Sequence, residues 1–242
     1  MQFRRCARVS FLALAAPLLA LTTGCDPGAL LGISGDSGTS TYTPNYSELP
    51  PAHTAALPCK DSDTTHLCVA LNYVVYDGTG GQPLISQAQA TQNVQSINTV
   101  WAQCNVQFYL ENFVAANPAT YGLDAQPSTS DELATVRTEF TDATRLTVVT
   151  TGQWTGDLGA QPANGWTEMP SVGPFGSVIE QSVATIPNLI AHELGHYLNL
   201  VHVTDQYDVM NPVVYSNSLN LTDDQCSMAR ATAISFWGSM LR

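Results

Sequence analysis

The pattern of hydrophobic and polar positions predicts a domain of mixed strands and helices that begins after residue 58. Runs rich in β-branched and aromatic residues predict strands at 67–76, 105–114, 145–151 and 177–184. Apolar residues spaced three and four positions apart predict helices at 87–103 and 186–198, and helix-capping sequences at Thr129 and Thr222 predict a short helix to about Phe140 and a final helix from Thr222 onward. Strands and helices are therefore mixed along the chain, which favours an α+β or α/β fold.

The N-terminal residues follow a different pattern. Residues 1–8 contain three arginines and no acidic residue, residues 9–21 are largely apolar, and small residues precede Cys25. An apolar run of this length is too short to cross a bilayer and is typical of a signal peptide. The segment before Cys25 resembles the lipobox of bacterial lipoproteins, which implies that Cys25 is a candidate lipidation site. We expect residues 1–24 to be a lipoprotein-type signal peptide, with cleavage and free secretion as the alternative.

Residues 25–58 are rich in glycine, serine, threonine and proline, so we expect them to form a flexible tether. The folded domain is expected at 59–242. The signal peptide predicts export, either to the cell envelope as a lipoprotein or as a secreted protein. Attachment to a membrane is expected only through a lipid anchor.

The charge excludes several classes of partner. The chain has 8 lysine and arginine residues against 20 aspartate and glutamate residues, a formal net charge of −12. Without the three arginines of residues 1–24, the net charge is −15. So acidic a chain argues against nucleic-acid binding and against a polybasic membrane patch. Hydrophobic residues make up 44% and charged residues 12%, which excludes a disordered chain and a multispan membrane protein.

The cysteines of an exported protein are candidates for disulfides. Cys25 is the candidate lipid site and Cys6 belongs to the signal peptide, which leaves four cysteines and three pairings. We favour the pairing of Cys104 with Cys226, which would tie the C-terminal helix to the body of the domain. The remaining pair, Cys59 with Cys68, would then close a short N-terminal loop.

The candidate chemistry lies in residues 192–202, which contain three of the five histidines. His192 and His196 are four positions apart, so a helix places both imidazoles on one face, where they can bind one Zn²⁺. Glu193 is expected not to bind the metal. Its predicted role is general base toward a metal-activated water, and then proton donor to the leaving amine.

The third ligand is predicted to be His202. Six residues of continuous helix beyond His196 would turn this side chain away from the other two, so the chain must bend between them. Asn199 is the predicted helix-terminating bend, since asparagine tolerates the left-handed conformation that ends helices. Three protein ligands leave one open position, which is typical of a catalytic zinc.

Residues 192–202 (HELGHYLNLVH) and the later Met210 resemble the signature of the metzincin metallopeptidases. The interval from His202 to Met210 is similar to that of the matrixin (matrix metalloproteinase-like) branch. The family usually has glycine where this chain has Asn199. The resemblance implies an α+β fold with a twisted mixed β-sheet, an active-site helix, a Met-turn and a C-terminal helix. It also implies zinc-dependent endopeptidase activity.

The resemblance implies roles for several further residues. Met210 would form an apolar floor beneath the zinc. Pro212 and Tyr215 are candidates for the wall of the substrate pocket that takes the residue after the scissile bond, although they are one residue further apart than in matrixins. Matrixins often bind Ca²⁺, and Asp157 in its glycine-rich surroundings is the candidate for such a site.

Other ligand sets are less consistent with the sequence. Thermolysin-like zincins take their third ligand from a later glutamate, and no glutamate follows Glu193. An aspartate ligand, Asp205 or Asp208, is an alternative for the third position. It would leave His202 and Met210 unexplained.

Two functions are compatible with these residues. The first is a zinc-dependent endopeptidase that acts as a monomer on protein or peptide substrates outside the cell. The second is a non-catalytic surface lipoprotein that uses a metzincin-like fold for binding. Glu193 disfavours the second, because a binding module has no need of a base beside the metal.

Overall fold

The computed structural model describes residues 65–242. Within this range the strands are Leu67–Tyr76 (β1), Val106–Ala116 (β2), Leu146–Thr151 (β3), Gly165–Thr167 (β4) and Ser177–Glu180 (β5). The α-helices are Gln87–Trp101 (α1), Ser130–Glu139 (α2), Gly156–Gly159 (α3), Pro187–Tyr197 (α4) and Asp223–Ser235 (α5). The predicted α+β class is confirmed.

The strands form one mixed sheet in the order β2-β1-β3-β5-β4. The first four pair in parallel, and the edge strand β4 runs antiparallel to β5. All ten residues of β1 are buried, because this strand lies between two neighbours and both faces of the sheet are covered. Burial on both faces explains why β1 is a nearly continuous apolar run rather than an alternating one.

Side chains of β1 alternate between the two faces of the sheet. Leu71 and Tyr73 join a large core that also contains residues of α1, α4 and α5. Val74 and Tyr76 join a smaller core with residues of α2. Helix α4, which carries the candidate ligands, is therefore held against the larger of the two cores.

Several element boundaries differ from the sequence prediction. The predicted strand 177–184 ends at Glu180, because Gln181–Val183 form a 3₁₀ turn. The predicted helix 87–103 ends at Trp101 and continues as a 3₁₀ turn, which Asn105 terminates in the left-handed conformation with φ 51°. The short elements α3 and β4, with four and three residues, are absent from the prediction because they lie in a stretch rich in glycine and proline.

A disulfide joins Cys104, which follows α1, to Cys226 in α5. This is the pairing favoured from the sequence. Arg230 adds hydrogen bonds from Nη1 to the carbonyl oxygens of Cys104 (3.1 Å) and Asn105 (2.9 Å). The helix begins with a capping box in which Thr222 exchanges hydrogen bonds with the third helical residue. These contacts fix α5 to the body of the domain.

The predicted signal peptide (1–24) and tether (25–58), with Cys25, lie outside the described residues. Cys59 lies outside them too, so its pairing with Cys68 stays a prediction, as does the domain start at residue 59. Between residues 65 and 242, no helix combines the length and the hydrophobicity that crossing a bilayer requires.

Candidate metal centre

Helix α4 ends in a turn that brings the third histidine back to the first two. The helix stops at Tyr197, and Asn199 follows with φ 68° in the left-handed region. The amide of Leu200 donates to the carbonyl oxygen of Gly195 at 2.9 Å, as in a Schellman ending. The chain therefore reverses where the sequence predicts a bend, and His202 lies next to the helix rather than beyond it.

The three histidines converge through their Nε2 atoms. His196 Nε2 lies 3.1 Å from His192 Nε2 and 3.1 Å from His202 Nε2. The Nε2 atoms of His192 and His202 are 3.2 Å apart. Within residues 65–242 they form the one group of three or more histidine, cysteine or acidic side chains arranged to hold a metal ion. The alternative ligands Asp205 and Asp208 are not part of this group.

Hydrogen bonds fix the tautomers of two of these rings. Nδ1 of His192 donates to the carbonyl oxygen of Val209 at 2.7 Å, and Nδ1 of His196 donates to that of Leu200 at 2.8 Å. Because a carbonyl oxygen only accepts, each neutral ring carries its proton on Nδ1 and leaves the Nε2 lone pair for a metal. Burial lowers the pKa of His192 well below its usual value, lowers the pKa of His196 to about 4, and lowers the pKa of His202. The rings are therefore neutral at pH 7.

The three nitrogen atoms suit a zinc ion. Lone pairs that face one another at this distance repel, and a cation between them removes the repulsion. Tetrahedral zinc with Zn–N bonds of about 2.0–2.1 Å separates its nitrogen ligands by about 3.3–3.4 Å. The distances of 3.1–3.2 Å in this protein are close to that value. Three neutral imidazoles are a donor set that zinc accepts, and in zinc sites with three protein ligands the fourth position is open to water.

Glu193 follows His192 on α4 and is enclosed by strand β4. Its Oε2 accepts a hydrogen bond of 2.6 Å from the Thr167 hydroxyl. Its Oε1 occupies the space where a side chain at Gly165 would begin, so a Cβ there would collide with the carboxylate. Burial raises the pKa of Glu193 to about 7, against the opposing effects of the Thr167 hydrogen bond and the Arg137 charge. A carboxylate with this pKa can both take and return a proton near neutral pH.

Met210 is fully buried and packs against the C-terminal half of α4, where a Cβ on Gly195 would collide with its Sδ atom. The Met210 amide donates to Asp208 Oδ1 at 2.7 Å, and Gln225 of α5 donates to the same oxygen at 3.1 Å. The carbonyl group just before Met210 is the one that accepts the His192 hydrogen bond. The turn is therefore linked to one candidate ligand and, through Asp208, to α5.

The remaining predicted residues lie at the borders of the site or apart from it. Asn188, in the first turn of α4, donates through its side-chain amide to the Tyr215 carbonyl oxygen at 3.1 Å. The segment with Pro212 and Tyr215 therefore lies beside the start of α4, and Tyr215 is 46% exposed. Asp157 lies in α3 and joins no group of three potential metal ligands among the residues described.

Three residues that act on Glu193 are missing from the sequence prediction. Thr167 and Gly165 belong to β4, and the tripeptide Gly-Trp-Thr has no periodicity that would indicate a strand. Arg137 is a buried cation of α2 whose Nη2 pairs with Glu168 at 3.2 Å. The one sequence signal for Arg137 is its place among core-facing positions of a predicted helix.

No family model matches this chain, and no curated protein matches it. Among solved structures, the chain is similar to the crystal structure of metalloproteinase-II from Bacteroides fragilis, with 16% sequence identity and a TM-score of 0.48. The similarity covers 72% of this chain and 56% of that one, so the chain spans little more than half the length of the solved protein.

Proposed function

We propose that this protein is a zinc-dependent endopeptidase of the metzincin type, similar to the matrixin branch, which hydrolyses peptide bonds of extracellular proteins. The observation that carries the proposal is the convergence of three histidine Nε2 atoms, together with the buried carboxylate of Glu193, the residue that follows His192 in α4. The left-handed turn at Asn199 and the packing of Met210 against the ligand-bearing helix support it.

In this proposal His192, His196 and His202 hold one Zn²⁺. When bound, the ion would polarise the scissile carbonyl group and make a water molecule more acidic. His192 and His196 keep their Nε2 lone pairs directed at the site, because their Nδ1 hydrogens are donated to backbone carbonyl oxygens.

Glu193 moves the proton. Its carboxylate takes a proton from water as the water oxygen bonds to the scissile carbonyl carbon. It then delivers this proton to the amide nitrogen as the C–N bond breaks. In the metal-free site burial raises the pKa of Glu193 to about 7, which makes its carboxylate a stronger proton acceptor than that of an exposed glutamate. Pro212 and Tyr215 are proposed to contact the residue after the scissile bond.

The test is Glu193→Gln, which keeps the size of the side chain and removes the base. Wild type and variant are loaded with zinc, their zinc content is measured by metal analysis, and cleavage of a peptide library is followed with and without a chelator. We expect both proteins to retain zinc and the variant to lose about 10²–10⁴-fold in kcat.

Glu180→Gln is the matched control. Glu180 is also a buried carboxylate, but it bonds to Asn164 and Ser182, and its replacement should leave cleavage unchanged. Full activity of a zinc-replete Glu193→Gln protein would contradict the mechanism. Zinc binding without chelator-sensitive cleavage of any peptide by the wild type would favour the non-catalytic binding lipoprotein.

We also propose that the protein is exported and anchored through a lipid on Cys25, on the basis of the residue pattern in positions 1–25. Metabolic labelling of cells with an alkyne-tagged fatty acid should mark the wild type and not Cys25→Ser. Recovery of an unlabelled wild type from the medium would support cleavage and secretion instead.

A further inference from the structure

We infer that Thr167 and Ser177 form a two-hydroxyl relay that positions the carboxylate of Glu193 for proton transfer. The inference rests on the proposed peptidase function and gives two strand residues a role in that reaction. Thr167 is the positioning residue in contact with the carboxylate, and Ser177 acts through Thr167.

The relay is built across two neighbouring strands. Thr167 on β4 and Ser177 on β5 are directly opposite each other in the antiparallel pair, so their side chains project from the same face of the sheet. Their hydroxyl oxygens lie 2.7 Å apart. Helix α4 packs against both strands and brings Glu193 Oε2 to 2.6 Å from Thr167 Oγ1, a distance typical of a hydrogen bond to a charged acceptor.

The direction of these hydrogen bonds follows from the available hydrogens. A carboxylate only accepts, so the single hydroxyl hydrogen of Thr167 is donated to Glu193. Thr167 then has no hydrogen left for Ser177 and must accept one from it. Ser177 is fully buried, which prevents its hydroxyl from turning toward water. The relay therefore runs from Ser177 to Thr167 to Glu193.

The relay engages one oxygen of the carboxylate, Oε2, and leaves the other, Oε1, to take the proton. Oε2 of Glu193 can accept the Thr167 hydrogen bond whether or not a proton is on Oε1. Gly165 adds a steric restraint, because the carboxylate fills the space that a Cβ there would need. The carboxyl group can therefore keep one orientation while the proton binds and leaves. Orientation affects the rate strongly, since a misplacement of ~1 Å can cost about 10²-fold.

The variants must separate positioning from packing, because opposite hydroxyl side chains also stabilise a sheet. Thr167→Val keeps the shape of the side chain and removes the hydroxyl, whereas Thr167→Ser keeps the hydroxyl. Ser177→Ala removes only the donor to Thr167. The matched control is Thr147→Val, because Thr147 is a buried residue of β3 whose hydroxyl donates to the Phe140 carbonyl oxygen at 3.1 Å.

The zinc-loaded proteins are compared by steady-state kinetics on one peptide and by thermal unfolding. We expect Thr167→Val to lower kcat by about 10–100-fold with KM changed by less than about twofold. Ser177→Ala should lower kcat by about 2–10-fold, and Thr167→Ser should stay within about threefold of the wild type. Thr147→Val should lower the melting temperature without lowering kcat. If Thr167→Val and Thr147→Val had similar melting temperatures and the same kcat as each other, the inference would be overturned.

Crystal structures of the metal-free wild type, Thr167→Val and Thr167→Ser give a readout that does not depend on activity. Glu193 should keep its position in Thr167→Ser and leave it, or occupy two conformers, in Thr167→Val. An unchanged Glu193 in Thr167→Val would overturn the inference. If the zinc-loaded wild type cleaves no peptide, the peptidase proposal fails, and this comparison still decides whether the relay positions the carboxylate.

Discussion

Gly195 and Met210 are in direct contact, and each belongs to a segment that helps to build the candidate metal centre. Gly195 lies on α4 between Glu193 and His196, and a Cβ there would collide with Sδ of the buried Met210. The carbonyl group that precedes Met210 holds the His192 ring. The missing side chain at Gly195 is therefore what lets the methionine turn approach the ligand-bearing helix.

Gly195→Ala should destabilise the protein and weaken zinc binding. Alanine favours a helix by about 0.5–1 kcal/mol over glycine, but displacing the buried Met210 costs about 1–3 kcal/mol as overpacking. We expect the melting temperature to fall by about 2–8 °C, with weaker zinc binding in competition with a chromophoric chelator. Gly238→Ala is the control, because no atom lies within 4 Å of the position of its Cβ. Equal stability of the two variants would contradict this explanation.

Asp208→Ala should weaken zinc binding without removing a ligand. The substitution leaves the Met210 amide without its acceptor, so the neighbouring carbonyl group holds the His192 ring less firmly. Loss of a group that orients a ligand typically costs about 10–100-fold in metal affinity. Asp208→Asn keeps an acceptor oxygen for the Met210 amide, so it should lose less zinc affinity than Asp208→Ala. Asp205→Ala, in the same segment and exposed, is the control, and zinc affinities equal to that control would count against the role of Asp208.

The double variant Cys104→Ala, Cys226→Ala should unfold more easily. The disulfide joins residues 122 positions apart, so removing it gives the unfolded chain much more freedom. We expect a loss of about 2–5 kcal/mol in the free energy of unfolding, measured with urea. A change of less than about 1 kcal/mol in the free energy of unfolding would mean that Arg230 and the capping box hold α5 in place without the disulfide.

Glu111→Gln should change how stability depends on pH. The hydrogen bond from Arg242 at 2.6 Å lowers the pKa of Glu111 below its usual 4.5, with a contribution from Arg145. Since the folded pKa is the lower one, the stabilisation is complete above about pH 4.5 and is lost as pH falls through the folded pKa. The wild type should therefore exceed Glu111→Gln in stability near neutral pH, and the two should converge in acid.

Unfolding of both proteins in urea across this pH range provides the measurement. Glu139→Gln is the control, because Glu139 is exposed and forms no ion pair within residues 65–242. A difference between the wild type and Glu111→Gln that stays constant down to pH 3 would contradict the assignment.

The sequence predicts the features that a local pattern determines. The bounds of β1 match the prediction, because a strand buried on both faces is apolar almost throughout. The convergence of the histidines also follows from local rules, namely the four-residue spacing on α4 and the left-handed asparagine that ends it. The final helix is marked by the capping residue Thr222.

Contacts between distant segments could not be predicted in the same way. Thr167 precedes Glu193 by 26 positions and lies on a three-residue strand that exists because β5 offers it a partner. The contact of Gly195 with Met210 depends on how a turn packs against a helix. The spacing of residues along the sequence does not determine that packing. The candidate metal ligands could therefore be predicted from the sequence, and the residues that contact the Glu193 carboxylate could not.

The three histidines all come from an 11-residue segment, so bringing them together closes only short loops. The entropy cost of loop closure rises with loop length, and the sheet requires much longer closures, since β1 pairs in parallel with both β2 and β3. During folding, a metal ion can therefore capture its ligands before the sheet is complete. Glu193 acquires its hydroxyl donor, Thr167, only when the edge strand β4 has docked. If the protein is the proposed peptidase, a half-folded chain would thus carry zinc with a poorly oriented base, and full activity would follow the docking of β4.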